Sequence, residues 1–204
     1  MRYAYSVVLT LLLAVTSLAA DPYLSVGRVL TRTSGGSGTL IYNVPGKYAL
    51  VLSCQHVTPT PGEWVSIRWD EATAEGIAWR VHRHADISVL LVASPTNLTI
   101  EPAVLAIPSR STGPFTAVGF PSYGRGKRHV QTGNWLRSER YTLWTDKAPW
   151  SGFSGGGCFD RFGRLVGVTV WASPSIENGT SGGHTSFQAL LDLEDLNGDM
   201  WNKP

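Results

Sequence analysis

Cysteine, charge and long apolar runs are all scarce in this chain. Two Cys among 204 residues exclude a small disulfide-stapled scaffold and a four-cysteine zinc site. Charged residues make up 16% of the chain and the formal net charge is +2. That is too little for the basic face by which a protein holds nucleic acid, so no nucleic-acid partner is expected. No apolar run reaches the ~18–20 residues of a membrane-spanning helix. The intervals between apolar segments carry no long amphipathic pattern, which excludes a parallel sheet with crossover helices. No internal repeat and no low-complexity segment is visible.

What is present is a high apolar content, 43%, with 22 Gly and 12 Pro scattered without a period. The apolar content excludes a disordered chain. The Gly and Pro punctuate short segments rich in Val, Ile, Thr and aromatic residues, the pattern of an all-β protein. Strands are predicted over Ala49–Cys54, Trp64–Trp69, Gly76–Val81, Ile87–Val92, Phe115–Phe120, His129–Trp135, Tyr141–Thr145, Gly156–Phe159, Leu165–Trp171 and Thr185–Leu191. Asp160–Gly163 reads as a hairpin turn between two of them.

Arg2, the apolar stretch Val7–Val15 and the small residues Ser17–Ala20, broken by Asp21-Pro22, predict a secretory signal peptide over residues 1–20. The mature chain, with no membrane span, is then expected in a secreted or periplasmic, oxidising compartment. Pro108–Pro114 contains turn formers and no large apolar side chain. It is read as a linker dividing the mature chain into 21–110 and 111–204, the second half ending in a short helix near Leu190–Leu196.

Three segments point to chemistry. Leu50–Val57 is an apolar strand ending at His56, His84–Leu91 places Asp86 before another apolar strand, and Gly152–Gly157 sets Ser154 in a glycine-rich turn. A serine hydroxyl attacks only when a base takes its proton. Neutral histidine does this near pH 7, and a carboxylate holds the imidazole in the working tautomer. Glycines admit backbone conformations that direct the N–H groups of Gly152 and Ser154 at one developing oxyanion. Each segment alone is ordinary; the order His, Asp, Ser, each beside an apolar strand, is what distinguishes the set.

Together with Gly36–Ile41, Ala117–Pro121, Gly163–Val168 and Gly182–Gln188, these segments resemble the chymotrypsin-fold (trypsin-like) serine proteases, in particular the short bacterial secreted, heat-shock and glutamyl-endopeptidase types. The resemblance covers roughly residues 25–195. It implies an all-β fold of two six-stranded antiparallel barrels with short loops and the site in the crevice between them. It implies a serine endopeptidase that works through an acyl-enzyme on polypeptide substrate without metal or organic cofactor; with the signal peptide, a secreted monomer is expected. His56 becomes the general base, Asp86 its orienting carboxylate and Ser154 the nucleophile. Gly152 and Ser154 supply the oxyanion hole, Val170, Trp171 and Ala172 the strand that pairs with substrate, and His184 a place near the specificity pocket. A catalytically inactive binding protein on the same fold is the competing reading.

The chain departs from the digestive enzymes in two places. Phe153 precedes the nucleophile where they carry the Asp that pairs with a freshly cut N-terminus, so activation by that ion pair is not expected. Lys147–Ser151 lacks an Asp to favour a basic P1 residue, while His184 could favour an acidic one. Because Cys54 lies two residues before His56 and Cys158 four after Ser154, an assembled triad would bring them into one region. A Cys54–Cys158 disulfide is then a candidate, against two buried free thiols. His82, His84 and Asp86 share a strand face that could bind zinc, but Asp86 is assigned to the triad and no metal is expected. Arg125, Lys127, Arg128 and His129 read as a solvated hairpin turn.

Overall fold

Short β-branched segments separated by turn formers fold into twelve strands among the described residues. The structure, a computed structural model, describes residues 21–82, 85–106, 112–122, 124, 126–139, 142–175 and 179–186. The expected signal peptide, His84, Arg125 and the expected C-terminal helix lie outside the described residues.

Asp21 accepts the Tyr23 N–H at 3.0 Å and caps a single 3-10 turn over Pro22–Ser25. The strands are β1 (Val26–Leu30), β2 (Gly35–Val44), β3 (Tyr48–Ser53), β4 (Trp64–Arg68), β5 (Thr73–His82), β6 (Ile87–Ala93), β7 (Gly113–Gly119), β8 (His129–Glu139), β9 (Thr142–Thr145), β10 (Gly157–Asp160), β11 (Leu165–Ser175) and β12 (Gly179–Ser186). Both sheets close into antiparallel barrels. One runs β1-β2-β3-β6-β5-β4 and the other β7-β8-β9-β12-β11-β10. The expected pair of six-stranded barrels is present, and the same strand order occurs twice. Bulges recur on equivalent strands, at Leu40/Tyr42 and Trp135/Arg137 on β2 and β8, and at Ala78/Arg80 and Thr169/Trp171 on β5 and β11. A bulge bends its strand and raises its twist, which lets six strands close.

The first barrel is filled by alternating inward residues, among them Val29, Leu40, Val51, Ile67, Leu90 and Val92, all almost fully buried. Alternation fails at the end of β3, where Leu52 and Ser53 are both buried. Val51 and Ser53 share the inward face and Leu52 lies on the other, so Leu52 is covered from outside the barrel. The covering comes from the second half, since Val118, Phe120, Phe159, Leu165, Val168 and Val170 join the same apolar cluster. Phe115, Ala117, Trp135, Leu143, Phe153, Cys158 and Val166 form a separate core within the second barrel.

Two segments differ from the expectation. Neither β1 nor β2 was among the strands predicted from β-propensity. β12 begins at Gly179, six residues before the predicted Thr185–Leu191, of which residues 187–191 lie outside the described residues. In the first half of β2 and in β12, glycine and small polar residues form strands because neighbouring ladders hold them. Within the expected linker, Gly113 and Pro114 already belong to β7.

Candidate active site

β3 ends at Ser53, and the chain turns at once: the N–H groups of Val57 and Thr58 both donate to Cys54 O at 3.2 Å. This turn lifts the His56 ring to the surface, where its side chain is 44% exposed. Ser88 Oγ donates to Cys54 O at 3.1 Å, and Thr58 Oγ1 donates to Ser88 Oγ, so a buried hydroxyl pair pins the turn. Asp86 stands immediately before β6. It grips His56 with both carboxylate oxygens: Oδ1 accepts the backbone N–H at 2.9 Å, and Oδ2 lies 2.7 Å from Nδ1. Asp86 has φ +50, the one non-glycine residue with positive φ among those described. Asp tolerates the left-handed region better than most residues, yet such strain costs about 1–3 kcal/mol and concentrates at functional sites. Buried His82 supports the turn into Asp86, its Nδ1 accepting the Ala85 N–H at 3.0 Å.

Ser154 sits in a turn built by two positive-φ glycines. Phe153 N–H donates to Trp150 O at 2.9 Å, and Gly152, third in that turn, has φ +93; a type II turn needs glycine there. Gly155 has φ +87, and a Cβ on it would run into Ser37 O. The amides of residues 152–156 divide sharply. Phe153, Gly155 and Gly156 donate to Trp150 O, Thr169 O and Phe153 O. Those of Gly152 and Ser154 have no acceptor among the described residues.

Two main-chain contacts bring the serine turn against the histidine turn. Thr169 O accepts both Gly155 N–H at 2.8 Å and Cys54 Sγ at 2.9 Å. A Cβ on Gly36 would lie 2.7 Å from Ser154 O and 2.8 Å from Val57 Cγ2, so both turns press on one glycine. Next to it, Ser37 is fully buried and uses every polar group it has. Its N–H donates to Ser154 O at 2.7 Å and its hydroxyl to Gly152 O at 2.8 Å. The same hydroxyl accepts Phe120 N–H at 2.8 Å, and Ser37 O accepts Ser53 Oγ at 2.8 Å. The structure thus brings His56 and Asp86 into contact and Ser154 against the histidine turn. Ser154 Oγ makes no hydrogen bond among the described residues.

Ser37, Thr169, Ser53, Ser88 and Thr58 carry this arrangement and were not singled out in the sequence; His82 was read there only as a possible zinc ligand, and it instead accepts the Ala85 N–H. Only the Gly-Ser-Gly of residues 36–38 carried a hint, a hydroxyl in a run that otherwise lacks side chains. Val170 is buried at the β11 bulge. Beyond Thr169, β11 pairs with β12 and with no strand on its other side among the described residues, so Val170–Ala172 form an open edge. His184 lies on β12 opposite Thr169 in the ladder.

The candidate disulfide is not formed: Cys54 and Cys158 are both free and buried. Cys54 points to the junction and donates to Thr169 O, whereas Cys158 points into the core of the second barrel. Burial, then the charge of Asp86, pushes the Cys54 thiol well up; burial, then Asp160, does the same at Cys158. Cys54, His56 and Asp86 offer ligand atoms within 4.8 Å of one another. A metal there needs a thiolate and a free Nδ1, but the thiol is held neutral and Nδ1 faces Asp86.

Residues 36–168 match the trypsin-like peptidase domain. The chain belongs to the trypsin-like peptidase family. Solved structures agree at the level of the fold. The inactive form of Rv3671c from M. tuberculosis H37Rv is 19% identical, with a TM-score of 0.69 and 94% of each chain covered. The serine endoprotease from Yersinia pestis is 22% identical, with a TM-score of 0.67, covering 87% of this chain and 63% of that one. The HtrA-type protease AlgW, solved with a tripeptide, is 22% identical with a TM-score of 0.64, covering 86% of this chain and 60% of its own. This trypsin-like peptidase therefore spans a little under two thirds of those last two chains. No curated protein matches the sequence. Among the described residues no helix is long and apolar enough to cross a membrane.

Proposed function

We propose that the protein is a secreted serine endopeptidase acting through a His56–Asp86–Ser154 triad. The carrying observation is the division of amides in the serine turn, which leaves Gly152 and Ser154 N–H free together at the nucleophile.

Asp86 accepts Nδ1–H and so fixes the tautomer in which Nε2 of His56 is the proton acceptor. When substrate closes over the site, Ser154 Oγ attacks the scissile carbonyl as Nε2 takes its proton. Hydrogen bonds of this kind are commonly long or absent before substrate binds. The developing oxyanion receives the two free amides. Because the fold already holds the turn, no reorganisation is needed at the moment of reaction, and each donor contributes about 10²–10³ in rate. Protonated His56 then gives its proton to the leaving amine, and water, activated by the same imidazole, releases the acyl group. The open edge at Val170–Ala172 pairs with extended substrate backbone. Phe153 is fully buried and its ring packs on Trp150 with centroids 5.5 Å apart. Packing and Ser37 hold the turn in place of an ion pair with a new N-terminus.

The test is digestion of an unfolded protein, with products read by mass spectrometry. Internal cuts that vanish in Ser154→Ala support the proposal. No cleavage by the folded parent favours a binding protein on the same fold.

A further inference from the structure

The strand row that carries Ser37 continues away from the serine turn. Ser37 pairs with Arg28 on β1, and Arg28 with Arg68 on β4. Residues directly opposite in an antiparallel ladder share a face, and like charges so placed repel. Among the described residues neither guanidinium has an ion pair or hydrogen bond to offset this. The carboxylate that lines the same cavity, Asp70, is engaged by Arg128, whose other nitrogen donates to Tyr23 O at 2.7 Å. Arg128 is thus anchored at both ends of its guanidinium, with a side chain only 15% exposed, and is not a solvated turn residue as expected.

Arg28 and Arg68 line a cavity of about 240 Å³ together with Trp69, Asp70, Phe120 and Gly126. It opens between the β1–β4 edge of the first barrel and the segment following β7 in the second. A Cβ on Gly126 would lie 3.3 Å from Arg28 Nη1, so this glycine lets the loop pass beside the guanidinium. We propose that Arg28 and Arg68 form a binding pocket for one oxyanion group, a carboxylate or a phosphate. Two adjacent guanidinium groups present paired N–H donors that match the oxygens of either group. A water's share of liquid volume is about 30 Å³, so the cavity has room for such a group and several waters. An anion here removes the repulsion between the two strands. The source is either a free anion or an acidic side chain of a polypeptide lying beside the cleft.

The test uses the full chain with Ser154→Ala, so that binding is read without turnover. Inorganic phosphate, a Glu-containing peptide and its Gln analogue are each titrated by calorimetry at low ionic strength in an uncharged buffer. Saturable binding of phosphate, or of the Glu peptide but not its Gln analogue, supports the pocket and tells the two sources apart. In R28Q/R68Q affinity should fall about tenfold or more; R68K, which keeps charge but loses the fork, should fall between. Phosphate should raise the melting temperature of the parent and not of R28Q/R68Q. Without anion, R28Q/R68Q should melt no lower than the parent, because a repulsion is gone. No saturable binding, or binding unchanged in R28Q/R68Q, overturns the proposal.

Discussion

Replacing Ser37 with alanine is the sharpest perturbation of the serine turn that spares the triad. The substitution removes one oxygen. It strands Gly152 O, which loses its donor at 2.8 Å, and Phe120 N–H, which loses its acceptor at 2.8 Å. Position 37 is fully buried, so water does not substitute freely. Each stranded group costs about 1–3 kcal/mol, which puts the penalty at roughly 2–6 kcal/mol if nothing relaxes. Relaxation moves the Gly152 carbonyl and, through the Gly152 Cα, the neighbouring Gly152 N–H that meets the oxyanion. Complete loss of one oxyanion donor costs about 10²–10³ in rate. We expect S37A to lose about 10–100-fold in kcat, with KM changed less than about threefold, because ground-state contacts along β11 are untouched. The assay is steady-state hydrolysis of a fluorogenic peptide by parent and variant, with melting temperatures measured in parallel. A variant that melts lower yet keeps its kcat would show that Ser37 only joins the barrels, and the reasoning would fail.

Other outcomes follow from the same contacts. Asp86→Asn keeps the shape but presents an amide where Nδ1–H is held; kcat should fall about 10³–10⁴-fold with the fold intact by circular dichroism. Both cysteines should react with a thiol reagent in denaturant without reductant and resist it in the native state. Their folded pKa values lie above the unfolded ones, so the unfolded chain loses its thiol protons first as pH rises. Stability should therefore hold below about pH 8.5 and decline above it, by at most about 1.4 kcal/mol per pH unit per thiol, and C54A/C158A should flatten that decline. Protein beginning at Asp21 should be active without a further N-terminal cut, and a requirement for a second cut would contradict the role given to Phe153.

The fold class was legible because strand chemistry is local: Leu50–Ser53 and Ile87–Val92 read as strands from their own residues. The repeated strand order was not, since a barrel interior asks only for apolar side chains of suitable size at alternating positions. β12, Gly-Thr-Ser-Gly-Gly-His-Thr-Ser, is a strand only because β9 and β11 hold it. The His56–Asp86 pair was legible through the ordered motif set, not through the spacing alone. Proximity in sequence misled at the cysteines: Cys54 faces the junction and Cys158 a barrel interior. Ser37 escaped notice because its importance lies in bonds to Gly152, Ser154 and Phe120, far along the chain.

The most direct measurement of the proposed catalytic centre is labelling of the folded, mature protein with a fluorophosphonate, mapped by peptide mass spectrometry. The expected result is one adduct, on Ser154, lost in Ser154→Ala and slowed by orders of magnitude in His56→Ala. A folded protein that takes no label, or labels Ser154 equally well without His56, contradicts the catalytic account.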